Sequence, residues 1–236
     1  MSKSLIISIL LLTGLYSCGQ RGNSKTGKAV IESEIETSTK NGGKQLSPTY
    51  YLKEYIYKDT TYVSSTGKGI TIQNGFPKGG MIKPDGTQYS DVSGKSYGFC
   101  VFWTRIINET TNPLELNIKF PVDSMAIFTP LGSYLKLFLP SDTLVYDKLE
   151  SFNYGLTGIK SFLDNNLNKA SKLHKTINPN EAHIFYVVAL SYRAGGTPRA
   201  ALILDEQDLY YRMSVAPHGS GTIPVGRITF KNEIGD

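Results

Sequence analysis

The segment YGFCVFWTRIIN, which runs from Tyr97 to Asn108, decides the fold because it is apolar on both faces when it is read as a β-strand. Side chains of a strand point alternately to its two faces. One face carries Phe99, Val101, Trp103 and Ile107, and the other carries Cys100, Phe102 and Ile106. A strand that is apolar on both faces is usually covered on both. The segment therefore predicts a central strand with a packed layer on each side.

The segments around this strand also have the pattern of β-structure. LELNIKF, from Leu114 to Phe120, alternates strictly between apolar and polar residues, as a strand with one buried face does. Runs rich in β-branched and aromatic residues predict further strands at Tyr50–Tyr57, Thr60–Val63, Gly69–Gln73, Lys172–Ile177, Ala182–Tyr192, Pro198–Asp205, Leu209–Val215 and Val225–Lys231. The Gly- and Pro-rich stretch from Gly75 to Gly94 is long for a plain connection, so it predicts either a turn-rich hairpin or a functional loop.

A single helix interrupts the strands. Ile159, Phe162, Leu163 and Leu167 recur at helical spacing, and Thr157 precedes them as a candidate N-cap. The sequence thus predicts one short helix near residues 157–168. Many short strands with one helix indicate a mainly β fold, either a β-sandwich or a Greek-key barrel, formed by a single domain over residues 47–236.

The N-terminal segment has the character of an export signal. Lys3 supplies a positive charge, and the apolar run from Leu5 to Leu15 is shorter than the about 20 residues that a membrane span needs. The tetrapeptide Leu15–Cys18 resembles the lipobox of bacterial, Bacteroidota-type lipoproteins. The resemblance implies a signal peptide at 1–17, a diacylglycerol thioether on Cys18 and an acyl chain such as palmitate on the new N-terminus. A secreted soluble protein and a buried N-terminal helix are the alternatives.

Residues 18–46 follow as a predicted flexible tether, because they contain too few apolar residues to offset the entropy of ordering. A random coil of this length would span about 30 Å. In lipoproteins of the type that the lipobox resembles, acidic residues after the lipidated cysteine are associated with export to the outer face. Here Gly19, Gln20 and Arg21 follow, so the resemblance implies an outer-membrane lipoprotein that faces the periplasm.

Charge and cysteine content exclude some classes of protein. Of 25 Lys and Arg residues, Lys3 lies in the predicted signal, which leaves 24 against 20 Asp and Glu. This small excess forms no cluster along the sequence, so nucleic-acid binding is not expected. If Cys18 is lipidated, Cys100 is left without a partner for a disulfide bond, and its apolar neighbours predict a small buried side chain.

Two patches of the folded part have a weak resemblance to immunoglobulin-like modules of secreted bacterial proteins. The first is a strand that ends in an Asn-x-Thr turn at Asn108 and Thr110, and the second is the turn Asn178–Glu181 ahead of an apolar strand. The resemblance implies a sandwich of two sheets and no particular activity.

The sequence carries no motif that names a reaction. His174, His183 and His218 do not have the spacing of metal ligands, and there is no nucleophile elbow, P-loop or dinucleotide fingerprint. We therefore predict no catalytic residue, no metal site and no cofactor.

The candidate ligand-binding residues are three arginines. Arg193 and Arg199 flank a Gly-rich turn, whose backbone N–H groups together with two guanidinium groups would suit a small anion. An ordinary connecting loop explains this turn equally well. Arg105 lies near the end of the central strand, where it could reach a carboxylate or ligand, or extend to solvent over apolar neighbours.

Three tripeptides resemble the O-glycosylation acceptor of Bacteroidota, in which Asp precedes Ser or Thr. They place the acceptor oxygens on Thr60, Ser124 and Thr143, all of which are expected in turns.

Together these features predict a lipid-anchored protein of the cell envelope that acts as a non-catalytic binding or adaptor module. Its expected partners are the membrane, through the lipid anchor, and either an envelope protein or a small anionic ligand. The alternatives are an envelope hydrolase with a cleft that the sequence does not reveal, and an immunity or structural lipoprotein.

Overall fold

A computed structural model describes residues 52–63, 67, 69–79, 89–126, 133–193, 196–217 and 219–230. These residues form eleven strands and one α-helix. The strands are β1 Ile56–Val63, β2 Gly69–Gly75, β3 Tyr89–Ser90, β4 Ser96–Asn108, β5 Leu114–Phe120, β6 Tyr134–Phe138, β7 Ser171–Ile177, β8 Ala182–Tyr192, β9 Pro198–Asp205, β10 Asp208–Val215 and β11 Gly219–Phe230; the helix α1 is Ile159–Asn166.

The strands form two antiparallel sheets. The first has the order β1-β2-β4-β8-β6 with β3 beside β4, and the second has the order β7-β5-β11-β10-β9. Each sheet ends in edge strands, so the fold is a β-sandwich and the barrel alternative is wrong. The prediction of a mainly β fold with one short helix is confirmed.

A core of apolar side chains fills the space between the two sheets. Phe102 and Val187 project from the first sheet, and Leu116 and Tyr211 project from the second; all four are almost completely buried. Burying one large apolar side chain contributes roughly 1.5–3 kcal/mol, so this layer accounts for much of the stability.

A second core covers the opposite face of the first sheet. Trp103 and Val101 of β4 are fully buried against side chains of residues 144–163, among them Leu149, Tyr154 and Leu163. This cap is tied to the sheet because the Tyr186 hydroxyl donates to the Tyr154 carbonyl oxygen at 2.7 Å. The central strand is therefore covered on both faces, as its sequence predicts.

Asn74 connects the two sheets through a buried side-chain amide. Its Nδ2 donates to the carbonyl oxygen of Leu202 at 3.2 Å, and its Oδ1 accepts from the Leu202 N–H at 2.8 Å. Thr104 Oγ1 donates to the same Oδ1 at 3.1 Å. Asn74 thus pairs with the edge strand β9 much as a neighbouring strand would.

Several predicted boundaries differ from the structure. Lys53–Tyr55 form a turn of 3-10 helix, so the first strand begins at Ile56 and continues through Thr60 to Val63. The helix begins after Gly158, which has a left-handed φ of 64°, and Thr157 does not cap it. The last strand begins at Gly219 rather than Val225, because pairing with β10 holds its Gly-rich first half in extended form.

Candidate functional site

Four tyrosines gather at one end of the first sheet and are called here the tyrosine cluster: Tyr89, Tyr97, Tyr134 and Tyr192. Tyr97 lies near the start of β4, Tyr134 starts β6, and Tyr192 ends β8. Both β4 and β6 pair with β8, which brings the three rings together. The ring centroids of Tyr134 and Tyr192 are 5.1 Å apart, and those of Tyr97 and Tyr192 are 5.8 Å apart.

Lys95 places its ammonium group over this cluster. Its Nζ lies 3.9 Å from the ring centroid of Tyr192, 4.7 Å from that of Tyr134 and 5.8 Å from that of Tyr97. Cations at such distances are attracted by the negative face of an aromatic ring. Hydrogen bonding with the Tyr134 hydroxyl raises the pKa of Lys95, so the side chain stays charged at neutral pH.

Asp91 carries a carboxylate that is held in place by hydrogen bonds from its own turn and from Tyr97. Its Oδ1 accepts hydrogen bonds from the N–H groups of Ser93 and Lys95 at 2.9 and 3.0 Å, and its Oδ2 accepts from the Tyr97 hydroxyl at 3.2 Å. Burial opposes its ionisation, but the hydrogen bonds from Ser93 and Lys95 outweigh burial and lower the pKa of Asp91. The carboxylate therefore serves mainly to fix the turn that carries Lys95.

Arg193, one of the predicted ligand-binding residues, belongs to the same end of the sheet. Its guanidinium carbon lies 5.2 Å from the ring centroid of Tyr192, and its carbonyl oxygen accepts from Ser133 Oγ at 3.2 Å. The backbone of Arg193, directly after the end of β8, has a left-handed φ of 57°. Residues 194–195 of the predicted anion-binding turn lie outside the described residues.

Arg199 lies beside a different pair of rings. Its guanidinium carbon is 5.7 Å from the ring centroid of Tyr57 and 5.8 Å from that of Phe76. One of its nitrogens donates to the carbonyl oxygen of Pro198 at 3.0 Å. Arg193 and Arg199 therefore flank the turn as predicted but stack on separate aromatic groups.

Arg105 is buried in the first sheet, and its contacts differ from those of Arg193 and Arg199. It donates to Gln73 Oε1 at 3.1 Å, and Gln73 Nε2 donates to Asp59 Oδ2 at 3.0 Å. Arg105 pairs with Ile184 on β8, nine residues before Arg193, which is about 30 Å along an extended chain. The structure does not bring the three arginines into one site, and their ligand-binding role stays a prediction.

The three predicted glycosylation acceptors occupy different environments. Ser124 and Thr143 are exposed in irregular segments, as expected for turns. Thr60 instead lies in the middle of β1 and is half-buried, so the predicted strand Thr60–Val63 is confirmed and the expectation of a turn at Thr60 is wrong. Modification of any of the three stays a prediction.

His174, His183 and Cys100 make contacts within the folded domain. His174 Nδ1 lies 2.7 Å from Asn117 Oδ1 on the second sheet, and His183 is stacked on Phe185. Cys100 is buried, and burial raises the pKa of its thiol. Within the described ranges, no group of three His, Cys, Asp or Glu side chains could hold a metal ion. His218 and Cys18 lie outside these ranges.

The tyrosine cluster was missed by reasoning from the sequence. Its members are separated by up to about one hundred residues and meet because β3 pairs with β4, and β4 and β6 both pair with β8. A sequence signal would have been three tyrosines at the ends of predicted strands.

Among the residues that the structure describes, no helix combines the length and apolarity needed to cross a membrane.

No protein-family model matches the sequence, and no curated protein is significantly similar to it.

Proposed function

We propose that the protein is a lipid-anchored, non-catalytic binding module of the outer membrane that faces the periplasm. It contacts an envelope protein through the tyrosine cluster. The lipobox at Leu15–Cys18 supports the anchor. The observation that carries the binding role is the grouping of Tyr134, Tyr192 and two cations at the surface.

The side chains of the cluster are of the kinds that dominate protein interfaces. Tyr and Arg are enriched among the residues that contribute most binding energy, because each combines a large contact area with a polar group. Tyr134 and Tyr192 are half-buried, so part of each ring is open to a partner. Val92, in the turn before Lys95, is 96% exposed and adds an apolar contact.

The charge of this surface favours an anionic partner. Lys95 and Arg193 both carry positive charge next to Tyr192. The neighbouring Asp91 carries one negative charge, which offsets only one of these two cations. Complementary charge mainly speeds association and excludes wrong partners. We therefore infer that the contacted patch on the partner is acidic.

A photo-crosslinking amino acid at position 92 tests the proposal in cells that produce the full-length protein. We expect a crosslink to one envelope protein, identified by mass spectrometry, from position 92 and not from position 145. Val145 is the matched control because it is an exposed valine, 55% accessible, in the cap.

The substitutions Tyr192→Ala and Lys95→Glu should each abolish the crosslink while the protein stays folded. Equal crosslinking from both positions, or a crosslink that survives both substitutions, would refute binding through this surface. Turnover of an envelope substrate by the purified chain, without any crosslink, would favour the hydrolase alternative.

A further inference from the structure

A second group of cations lies on the solvent-facing side of the second sheet. Strand register places Lys119 of β5 directly opposite Lys172 of β7, and Asn117 opposite His174. On the other side of β5, Arg227 of β11 pairs with Asn117. Three neighbouring strands therefore direct basic side chains to one surface, although these residues are far apart in sequence.

The pairing of Lys119 with Lys172 is unfavourable for the fold itself. Like charges directly opposite each other on adjacent strands destabilise a sheet. Among the ion pairs of the described residues, neither lysine has an acidic partner, whereas Arg227 lies 3.2 Å from Asp208 and His174 lies 3.4 Å from Glu115. The acidic groups nearby thus leave the two lysines unneutralised.

A depression of about 310 Å³ lies between these side chains, and it is called here the basic pocket. Its lining includes Asn117, Lys119, Lys172, His174, Gly226 and Arg227. Gly226 has a φ of 154°, and a Cβ atom there would lie 1.9 Å from the carbonyl oxygen of Asn117. Backbone geometry therefore excludes a side chain at this position, and Gly226 lines the pocket with backbone atoms alone.

We propose that the basic pocket binds a phosphate group. Lysine ammonium groups and arginine are the usual protein ligands of phosphate, and their hydrogen bonds to it are charge-assisted. A dianion between Lys119 and Lys172 would turn their repulsion into two attractive contacts. Asn117 and Arg227 add amide and guanidinium donors from the neighbouring strands. This inference is independent of the proposed membrane anchor and of the tyrosine cluster.

Calorimetric titration of the full-length protein with inorganic phosphate tests this inference at constant ionic strength, with chloride as the reference anion. We expect saturable binding at one site. Lys119→Gln and Lys172→Gln should each weaken binding about tenfold, the effect of losing one charge-assisted hydrogen bond. Lys169→Gln, which changes an exposed lysine after α1, should leave the affinity unchanged.

Lys119→Glu separates phosphate binding from a purely structural role. This variant places opposite charges across β5 and β7, so in phosphate-free buffer we expect its Tm to rise by about 2 °C. The same variant should lose phosphate binding. Binding that does not saturate, or that persists in this variant, would show only general attraction of anions and would overturn the inference.

A second titration with glycerol 3-phosphate distinguishes the source of the group. Tighter binding than that of inorganic phosphate indicates a phosphoester such as a lipid headgroup, and weaker binding indicates the free ion. Absence of binding by both compounds would overturn the inference.

Discussion

At the scale of single residues, His183 on β8 is an ionisable group in an apolar setting. Its ring stacks on Phe185 with centroids 5.9 Å apart, and its Nε2 is buried without a hydrogen-bond partner. Burial, with a smaller contribution from Lys175, lowers the pKa of His183. The folded protein therefore disfavours the imidazolium form.

This residue should make stability depend on pH. The unfolded chain takes up a proton near the usual histidine pKa of about 6.5, whereas the folded chain resists it, so the free energy of unfolding falls as the pH drops below that value. His183→Phe removes the titrating group and should flatten the decline between about pH 7 and pH 5 in urea unfolding. Above pH 7.5 the two curves should run parallel. An unchanged slope below pH 7 would contradict this assignment.

Residues that stand out in the sequence are not always those that meet in the structure. Arg105 stands out in the sequence because it interrupts an apolar strand. In the structure it donates to Gln73 on β2, which in turn donates to Asp59 on β1. Strand register, which brings these side chains together, depends on pairings that a local pattern does not contain. For the same reason, a local sequence pattern does not reveal the contacts among Lys95, Tyr134 and Tyr192.

At the scale of elements, β9 is an edge strand whose outer side is occupied by side chains of the first sheet. Asn74 pairs with both backbone groups of Leu202, and the Tyr62 hydroxyl accepts from the Leu204 N–H at 3.0 Å. Unpaired edge strands invite association with other chains. These contacts both join the two sheets and block this edge.

Asn74→Ala should therefore destabilise the sandwich by about 3 kcal/mol, because it leaves the buried N–H and C=O of Leu202 without partners. Urea unfolding measures this loss, and increased aggregation of the variant would reflect the exposed edge. Asn117→Ala is the matched control, since Asn117 is exposed and bonds only His174 among the described side chains; its effect should stay within about 0.5 kcal/mol. Equal losses in the two variants would argue against the bridge.

Strand prediction succeeded where alternation and composition agreed. The bounds of β5, β8 and β9 match the predicted segments, because apolar residues fill the positions that face the core. It failed for the first half of β11, where Gly219 to Pro224 has the composition of a loop. There cross-strand hydrogen bonds to β10 hold the backbone in extended form, and the side chains of this segment contribute little to the formation of the strand.

At the scale of the whole molecule, the two surfaces for which we propose binding lie on different sheets of the sandwich. The tyrosine cluster lies on the first sheet, and the basic pocket lies on the outer face of the second. Variants of Tyr192 and of Lys172 should therefore act independently, since sites without shared partners usually have additive effects. The membrane anchor is a separate proposal, which concerns Cys18 and neither of these surfaces.

The proposed anchor makes Cys18 dispensable for folding but necessary for attachment. Two or more acyl chains hold a protein stably on a membrane, at roughly 0.8 kcal/mol for each buried CH₂ group. Cys18→Ala should leave the unfolding free energy unchanged and move the protein from the membrane fraction to the soluble fraction. Cys100→Ala is the control: Cys100 is buried at 6% exposure, so its loss should affect stability slightly and leave attachment intact.

Intact mass of the wild-type protein should show a chain that begins at residue 18 with lipid attached. A Cys18→Ala variant that remains in membranes as fully as the wild type, or a wild-type mass without lipid, would refute the anchor and leave both surfaces to be explained in a different compartment.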